Sequence, residues 1–250
     1  MSRLITIASG KGGVGKTTTS INLGMALNSL GKQVIITDAN LTTPNIGLHL
    51  GAPIVPISLN HVLNGKAKIS DAIYEHESGT KIIPSSLSIN DMKNLDHSKL
   101  KEIGKKLRKM ADIVIYDCAA GLGDEALAAM ESADEIIIVT NPEIPAVTDA
   151  LKTSKMIEQM GKSVRGVIVT RVRKAKTEMK ISNIAEMLEL PILGVIPEDK
   201  KVQSALSMKE ALIHAHPNSK AAKAYKRIAA RLIGNENFKE NSSFFSRWFG

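Results

Sequence analysis

The stretch Leu4-Ile5-Thr6-Ile7-Ala8-Ser9-Gly10-Lys11-Gly12-Gly13-Val14-Gly15-Lys16-Thr17-Thr18 decides the fold. It opens as an apolar, β-rich run and turns glycine-rich. It then enters a helical segment with Ile21, Leu23, Met25, Ala26, Leu27 and Leu30, which Gly31 stops. Strand, loop and helix are the setting that G-x-x-x-x-G-K-[ST] requires, and Gly10 to Thr17 matches that motif. Glycines let the backbone wrap closely around phosphate with its N–H groups inward. The helix behind the loop presents its positive end to the anion. Lys16 has the reach for β- and γ-phosphates, and the Thr17 hydroxyl suits Mg²⁺. Gly12, Gly13, Val14, Gly15, Lys16, Thr17 and Thr18 are therefore the expected nucleotide contacts. A glycine turn without a ligand would leave Lys16 without a purpose.

Outward from the loop, short apolar runs recur at Gln33 to Thr37, Lys81 to Pro84, Asp112 to Tyr116, Glu135 to Thr140, Val164 to Thr170 and Ile192 to Ile196. Such near-continuous runs suit strands buried on both faces of a parallel sheet. Helical patterns lie between most of them, at Thr17 to Leu30, Ser98 to Met110, Ala146 to Met160, Ile181 to Leu188 and Lys220 to Ile233. The series predicts an α/β fold: a doubly wound, mostly parallel sheet flanked by helices, of the P-loop NTPase type. The chain has 250 residues, enough for a sizeable core. The expected division is a nucleotide-binding domain over 1–234, a polar linker over 235–243 and an amphipathic tail over 244–250.

Composition narrows the classes further. A single cysteine, Cys118, excludes an internal disulfide framework and fits a reducing, cytoplasmic setting. No apolar run approaches the ~18 residues of a spanning helix, and no signal peptide is expected ahead of the first strand. The formal net charge of +8 favours anionic partners.

The strand Asp112-Ile113-Val114-Ile115-Tyr116-Asp117 ends in an acid placed to hold Mg²⁺ through water, although such a carboxylate can also simply cap a turn. With a phosphate loop upstream, the Mg²⁺ role is the better reading. A second strand-end acid, Asp38, can support the same ion. The absence of N-K-x-D, the guanine-reading motif, favours adenine, hence ATP.

The octamer Lys11 to Thr18, K-G-G-V-G-K-T-T, resembles the deviant Walker A motif of the MinD/ParA/Mrp group of dimerising ATPases. The resemblance implies that Lys11 reaches the nucleotide of a partner copy in an ATP-bound homodimer. It also makes Ala119-Ala120-Gly121 similar to the group's switch segment D-x-P-A-G, with Ala119 where proline is usual. Gly121 is then expected to offer its N–H to the γ-phosphate. The group's second strand usually ends D-x-D, whereas this chain has Asp38-Ala39-Asn40. Asn40 cannot act as a base but can orient water by hydrogen bonding, so slow hydrolysis is expected. Lys11, Lys16, Asp38 and Asn40 are the implied catalytic set. The purine is placed near Arg171 and Pro197, and Arg171 reads equally well as an ordinary surface arginine.

All four phenylalanines and the one tryptophan gather at the end: Phe238, Phe244, Phe245, Trp248 and Phe249. Positions 244, 245, 248 and 249 share one face of a helix. With Arg247 among them, the segment has the pattern of an interfacial membrane helix, and it resembles the tails of MinD proteins. The competing arrangement is a tail folded back on the body. Burying four rings yields on the order of 6–12 kcal/mol, much of it offset by ordering a short segment. One tail then binds weakly, and two on a dimer bind far better. The expected location is cytoplasmic, peripheral on the inner face of the cell membrane, with an acidic membrane surface and an unidentified hydrolysis-stimulating effector as partners. The basic run Lys99 to Lys109 keeps a ParA-like partition ATPase, binding DNA nonspecifically, as the rival. An Mrp-type iron–sulfur carrier normally needs a cysteine pair, and only Cys118 is present.

Overall fold

The computed structural model describes residues 2–235. Eight strands form one sheet: β1 (Arg3–Ser9), β2 (Val34–Ala39), β3 (Tyr74–Glu75), β4 (Lys81–Ile83), β5 (Ile113–Ala120), β6 (Glu135–Thr140), β7 (Val164–Val172) and β8 (Ile192–Pro197). Their order is β3-β4-β2-β5-β1-β6-β7-β8, parallel except for the antiparallel β3–β4 pair. The doubly wound expectation is met. The seven runs singled out in the sequence are all strands. The two-residue edge strand β3 was not anticipated, because two residues carry no periodicity.

Side-chain alternation along the strands feeds two cores. Leu4, Ile35, Val114, Ile136, Ile138, Val167 and Val169 point to one face, with α4 (Leu100–Leu107), α5 (Asp124–Ser132), most of α6 (Ile144–Gln159) and α7 (Ile181–Leu188). Ile5, Ile7, Ile36, Ile115, Ile137 and Ile168 point to the other face. There they meet α1 (Lys16–Ser29), α8 (Lys200–Ser207), α9 (Leu212–Ala215) and α10 (Lys220–Leu232). Two short helices, α2 (Ile46–His49) and α3 (Leu59–Leu63), follow β2. The helical expectation over Ser98 to Met110 resolves into a 3₁₀ turn at His97–Lys99 and then α4. Helices α5 and α8 were not foreseen, since α5 is alanine-rich without a strong apolar stripe and α8 buries only Ala205.

β1 sits between β5 and β6, where strand order reverses. In doubly wound sheets the crevice beyond the strand C-termini at this point takes the ligand. α1 starts there and is buried almost all round, including Lys16, Thr17 and the run from Thr19 to Leu27. α10 packs on α1 and β8, and Tyr225 on α10 meets Thr19 hydroxyl to hydroxyl at 3.2 Å.

This packing leaves no slack at Gly194 on β8. An added Cβ would lie 2.4 Å from Ile228 Cγ1 of α10. Gly194→Ala is therefore expected to destabilise the protein by about 1–3 kcal/mol through overpacking. Urea unfolding checks this, and an unchanged midpoint would contradict it.

Candidate nucleotide-binding site

The phosphate loop turns out of β1 with two left-handed glycines, Gly13 at φ 77° and Gly15 at φ 89°. Gly15 caps α1 and accepts from the Thr19 N–H at 2.9 Å. Gly10 presses on α6 so closely that a Cβ would stand 2.3 Å from the Asp149 carbonyl oxygen. The far wall of the loop is held by Thr170 at the end of β7. Its Oγ1 lies 2.6 Å from Val14 O and 2.9 Å from Asn141 Oδ1. A hydroxyl has one proton, and the shorter contact takes it.

Beneath the loop, the two strand-end acids stand side by side. Asp38 and Asp117 are register partners on the adjacent strands β2 and β5, and both are fully buried. Thr17 Oγ1 donates to Asp117 Oδ2 at 2.6 Å, and Ser20 Oγ donates to Asp117 Oδ1 at 2.9 Å. Lys16 Nζ lies 3.6 Å from the same Oδ1. Asp38 Oδ2 accepts from the N–H groups of Asn45 and Ile46 where α2 begins, each at 2.9 Å. Burial, with the Asp117 charge adding to it, pushes the Asp38 carboxyl up to about 8. Two buried carboxylates beside a threonine hydroxyl are an all-oxygen donor set with one ammonium, Lys16, as compensating charge. That set fits Mg²⁺.

Asn40 is buried but turned into its own loop. Thr43 Oγ1 donates to its Oδ1 at 2.9 Å, and its Nδ2 donates to Thr43 O. Gly121, at φ 85°, donates its N–H to Ser9 O at 2.9 Å, which joins the segment after Asp117 to the end of β1. Arg171 and Pro197 line one cleft together with Gly15, Thr18, Ile196, Gln203 and Tyr225, about 580 Å³ including its open mouth. Arg171 is exposed and holds the left-handed backbone at φ 54°, costly for a residue with a Cβ and a frequent mark of binding sites. Lys11, Gly12 and Gly13 form the exposed tip of the loop. Phe244, Phe245, Arg247, Trp248 and Phe249 lie outside the described residues.

Sequence reasoning missed several supports. Glu125 on α5 accepts from the Leu41 N–H through Oε1 and from Thr42 Oγ1 through Oε2, the latter at 2.9 Å. It thereby ties the segment after Asn40 to the helix after Gly121. Ser85 Oγ donates to Asp38 O at 2.6 Å. No local motif marks Glu125, Ser85 or Thr170, because each acts on a segment distant in the chain. Cys118 is buried and desolvation pushes its thiol up to about 12, which disfavours the thiolate.

Phosphate loop, paired acids and the cleft at the sheet's switch point define a P-loop ATPase. Residues 5–213 match the family model described as the CobQ/CobB/MinD/ParA nucleotide binding domain, and the chain belongs to that family. It is 42% identical over 252 residues to an ATP-binding protein of Methanocaldococcus jannaschii, covering 99% of this chain and 96% of that one. It is 34% identical to the septum site-determining protein MinD of Neisseria meningitidis, covering all of both chains. The septum site-determining protein MinD of Pyrococcus horikoshii, solved with Mg-ADP, superposes with a TM-score of 0.89. The two are 36% identical, with 93% of this chain and 96% of that one covered. The resemblance drawn from Lys11 to Thr18 is borne out. The chain is an ATPase working with ATP and Mg²⁺.

The raised Asp38 value has a measurable consequence. Its folded-state value of about 8 lies above the ordinary 3.8, so the folded state holds a proton the unfolded chain has released. That proton makes stability fall as pH rises from about 4 to about 8. Without Mg²⁺, the melting temperature of Asp38→Asn relative to the parent should climb steadily across that window. Melts in EDTA at about pH 5 and about pH 8.5 check it, and a pH-independent difference would contradict the assignment.

Proposed function

We propose that the chain is an ATP-driven dimerisation switch, which cycles on and off the membrane to position the division site or another cellular structure. The observation that carries this reading is the contrast between its two loop lysines. Lys16 is buried against Asp117 at 3.6 Å, committed to its own site. Lys11 is exposed at the loop tip, where it can meet the nucleotide of a second copy.

The chain's own groups divide the work. The loop N–H groups and Lys16 cradle the phosphates, and Thr17, Asp117 and Asp38 hold the ion. Mg²⁺ there neutralises phosphate charge. Arg171 and Pro197 bound the adenine side of the cleft. The Asn40 amide, steadied by Thr43, orients water without taking its proton, which makes turnover slow. For the Gly121 N–H to reach a γ-phosphate, its bond to Ser9 O must open. That exchange would report the triphosphate to α5 and, through Glu125, to the Asn40 segment.

Residues 235–243 serve as the linker and 244–250 as the membrane tail, bound weakly singly and firmly in pairs. The basic run favours this over the DNA-binding reading, because much of its charge is already engaged. Lys101 pairs with Glu131 at 3.3 Å, Lys106 with Glu102 at 2.8 Å, and Arg108 with Asp134. Lys99 donates to Leu63 O at 2.9 Å. Among the described residues no helix is long and apolar enough to cross a membrane.

Removing residues 240–250 should abolish ATP-dependent sedimentation with anionic liposomes while leaving nucleotide affinity unchanged. Equal sedimentation of the truncated chain would sink the membrane reading. An ATP-dependent gel shift of the same truncated chain with DNA would favour the rival.

A further inference from the structure

Away from the nucleotide site, side chains from two distant parts of the chain converge on one carboxylate. His76 follows the edge strand β3, Glu210 lies between α8 and α9, and His214 sits on α9 four residues later. Glu210 Oε1 is 3.6 Å from His76 Nε2 and 3.3 Å from His214 Nδ1. The three ligand atoms all lie within 4.8 Å of one another. The two imidazoles stack with centroids 5.9 Å apart and planes 18° from parallel. All three residues are half-buried, so the cluster is open to solutes.

We propose that His76, Glu210 and His214 form a binding site for a divalent transition-metal ion of the Zn²⁺ class. A tetrahedral ion with bonds near ~2.1 Å places neighbouring donors roughly 3.4 Å apart. Two of the three edges already have that length. The His–His edge closes by small rotations of two partly exposed rings. Two imidazoles and one carboxylate select Zn²⁺ over Mg²⁺ or Ca²⁺, which prefer all-oxygen sets. Three protein ligands leave a fourth position for water.

The surroundings fit ligation. His76 Nδ1 accepts from the Ser78 N–H at 3.2 Å and lies 3.1 Å from Ser78 Oγ, and these contacts fix the ring with Nε2 toward Glu210. The Ala211 N–H donates to Glu210 Oε1 at 2.8 Å and orients the carboxylate.

The ion would act as a clip. Among the described residues, β3 pairs with the sheet through Tyr74–Ile82 and Glu75–Lys81. Metal at His76 joins this weak edge to the α8–α9 connection. Glu210 also borders a hollow of about 320 Å³ lined by Thr18, His49 and Val202, and Thr18 and Val202 line the nucleotide cleft as well. The clip would thus brace one wall of the nucleotide site. The metal assignment does not depend on the membrane reading.

The test uses the full chain stripped of metal with EDTA. Isothermal titration with ZnCl₂ should show one ion bound per chain. His76→Ala and His214→Ala should each weaken binding at least about tenfold. Zn²⁺ at about 100 times its Kd should shift the parent's folding equilibrium about 100-fold, read as a higher Tm, and leave the double variant's Tm unmoved. Histidine-selective ¹⁵N NMR on the parent protects the test against variants that fail to fold. Zn²⁺ should move the His76 Nε2 and His214 Nδ1 resonances first. No Zn²⁺ binding, undiminished binding by the double variant, or shifts confined to other histidines would overturn the proposal.

Discussion

Two carboxylates side by side at the buried ends of β2 and β5 are the constraint on which the rest of the site depends. Neighbouring strands are roughly 4.8 Å apart, so Asp38 and Asp117 cannot avoid one another. Like charges that close, out of water, are unfavourable unless something positive joins them. Within the chain, Asp117 is answered by the Lys16 ammonium and by two hydroxyls, while Asp38 is held by backbone N–H groups. The arrangement is satisfied on its rim and short of positive charge at its centre, a state that Mg²⁺ with nucleotide relieves.

The same pair links the site to the segments that follow β2 and β5. β2 leads from Asp38 into the loop of Asn40 and Thr43. β5 leads from Asp117 into Gly121 and then α5. Glu125 closes the circuit by joining those two segments away from the sheet. Gly121 and Asn40 therefore lie on segments joined by hydrogen bonds through Glu125. Position 40 carries an asparagine, whose amide is engaged by Thr43 within its own loop.

Much of this was legible in the sequence because it rests on local pattern. A phosphate loop is contiguous, and buried parallel strands announce themselves as apolar runs. Asp38 and Asp117 were visible as strand-end acids, but only the sheet order made them neighbours. The supports were not legible, for a physical reason. Thr170 holds Val14 across 156 positions and Glu125 holds Thr42 across 83. Such contacts obey no local spacing. α5 escaped notice because its alanine-rich, nine-residue pattern lacks a strong apolar stripe. The left-handed backbone of Arg171 is likewise set by the strand end it occupies, not by its own preference.

The central claim is that a nucleotide bound over the acid pair governs whether two copies associate through Lys11. Light scattering on the full chain, with ADP and then with a non-hydrolysable ATP analogue, tests it most directly. The account predicts a monomer with ADP and a dimer with the analogue. A constant monomer in both would contradict it.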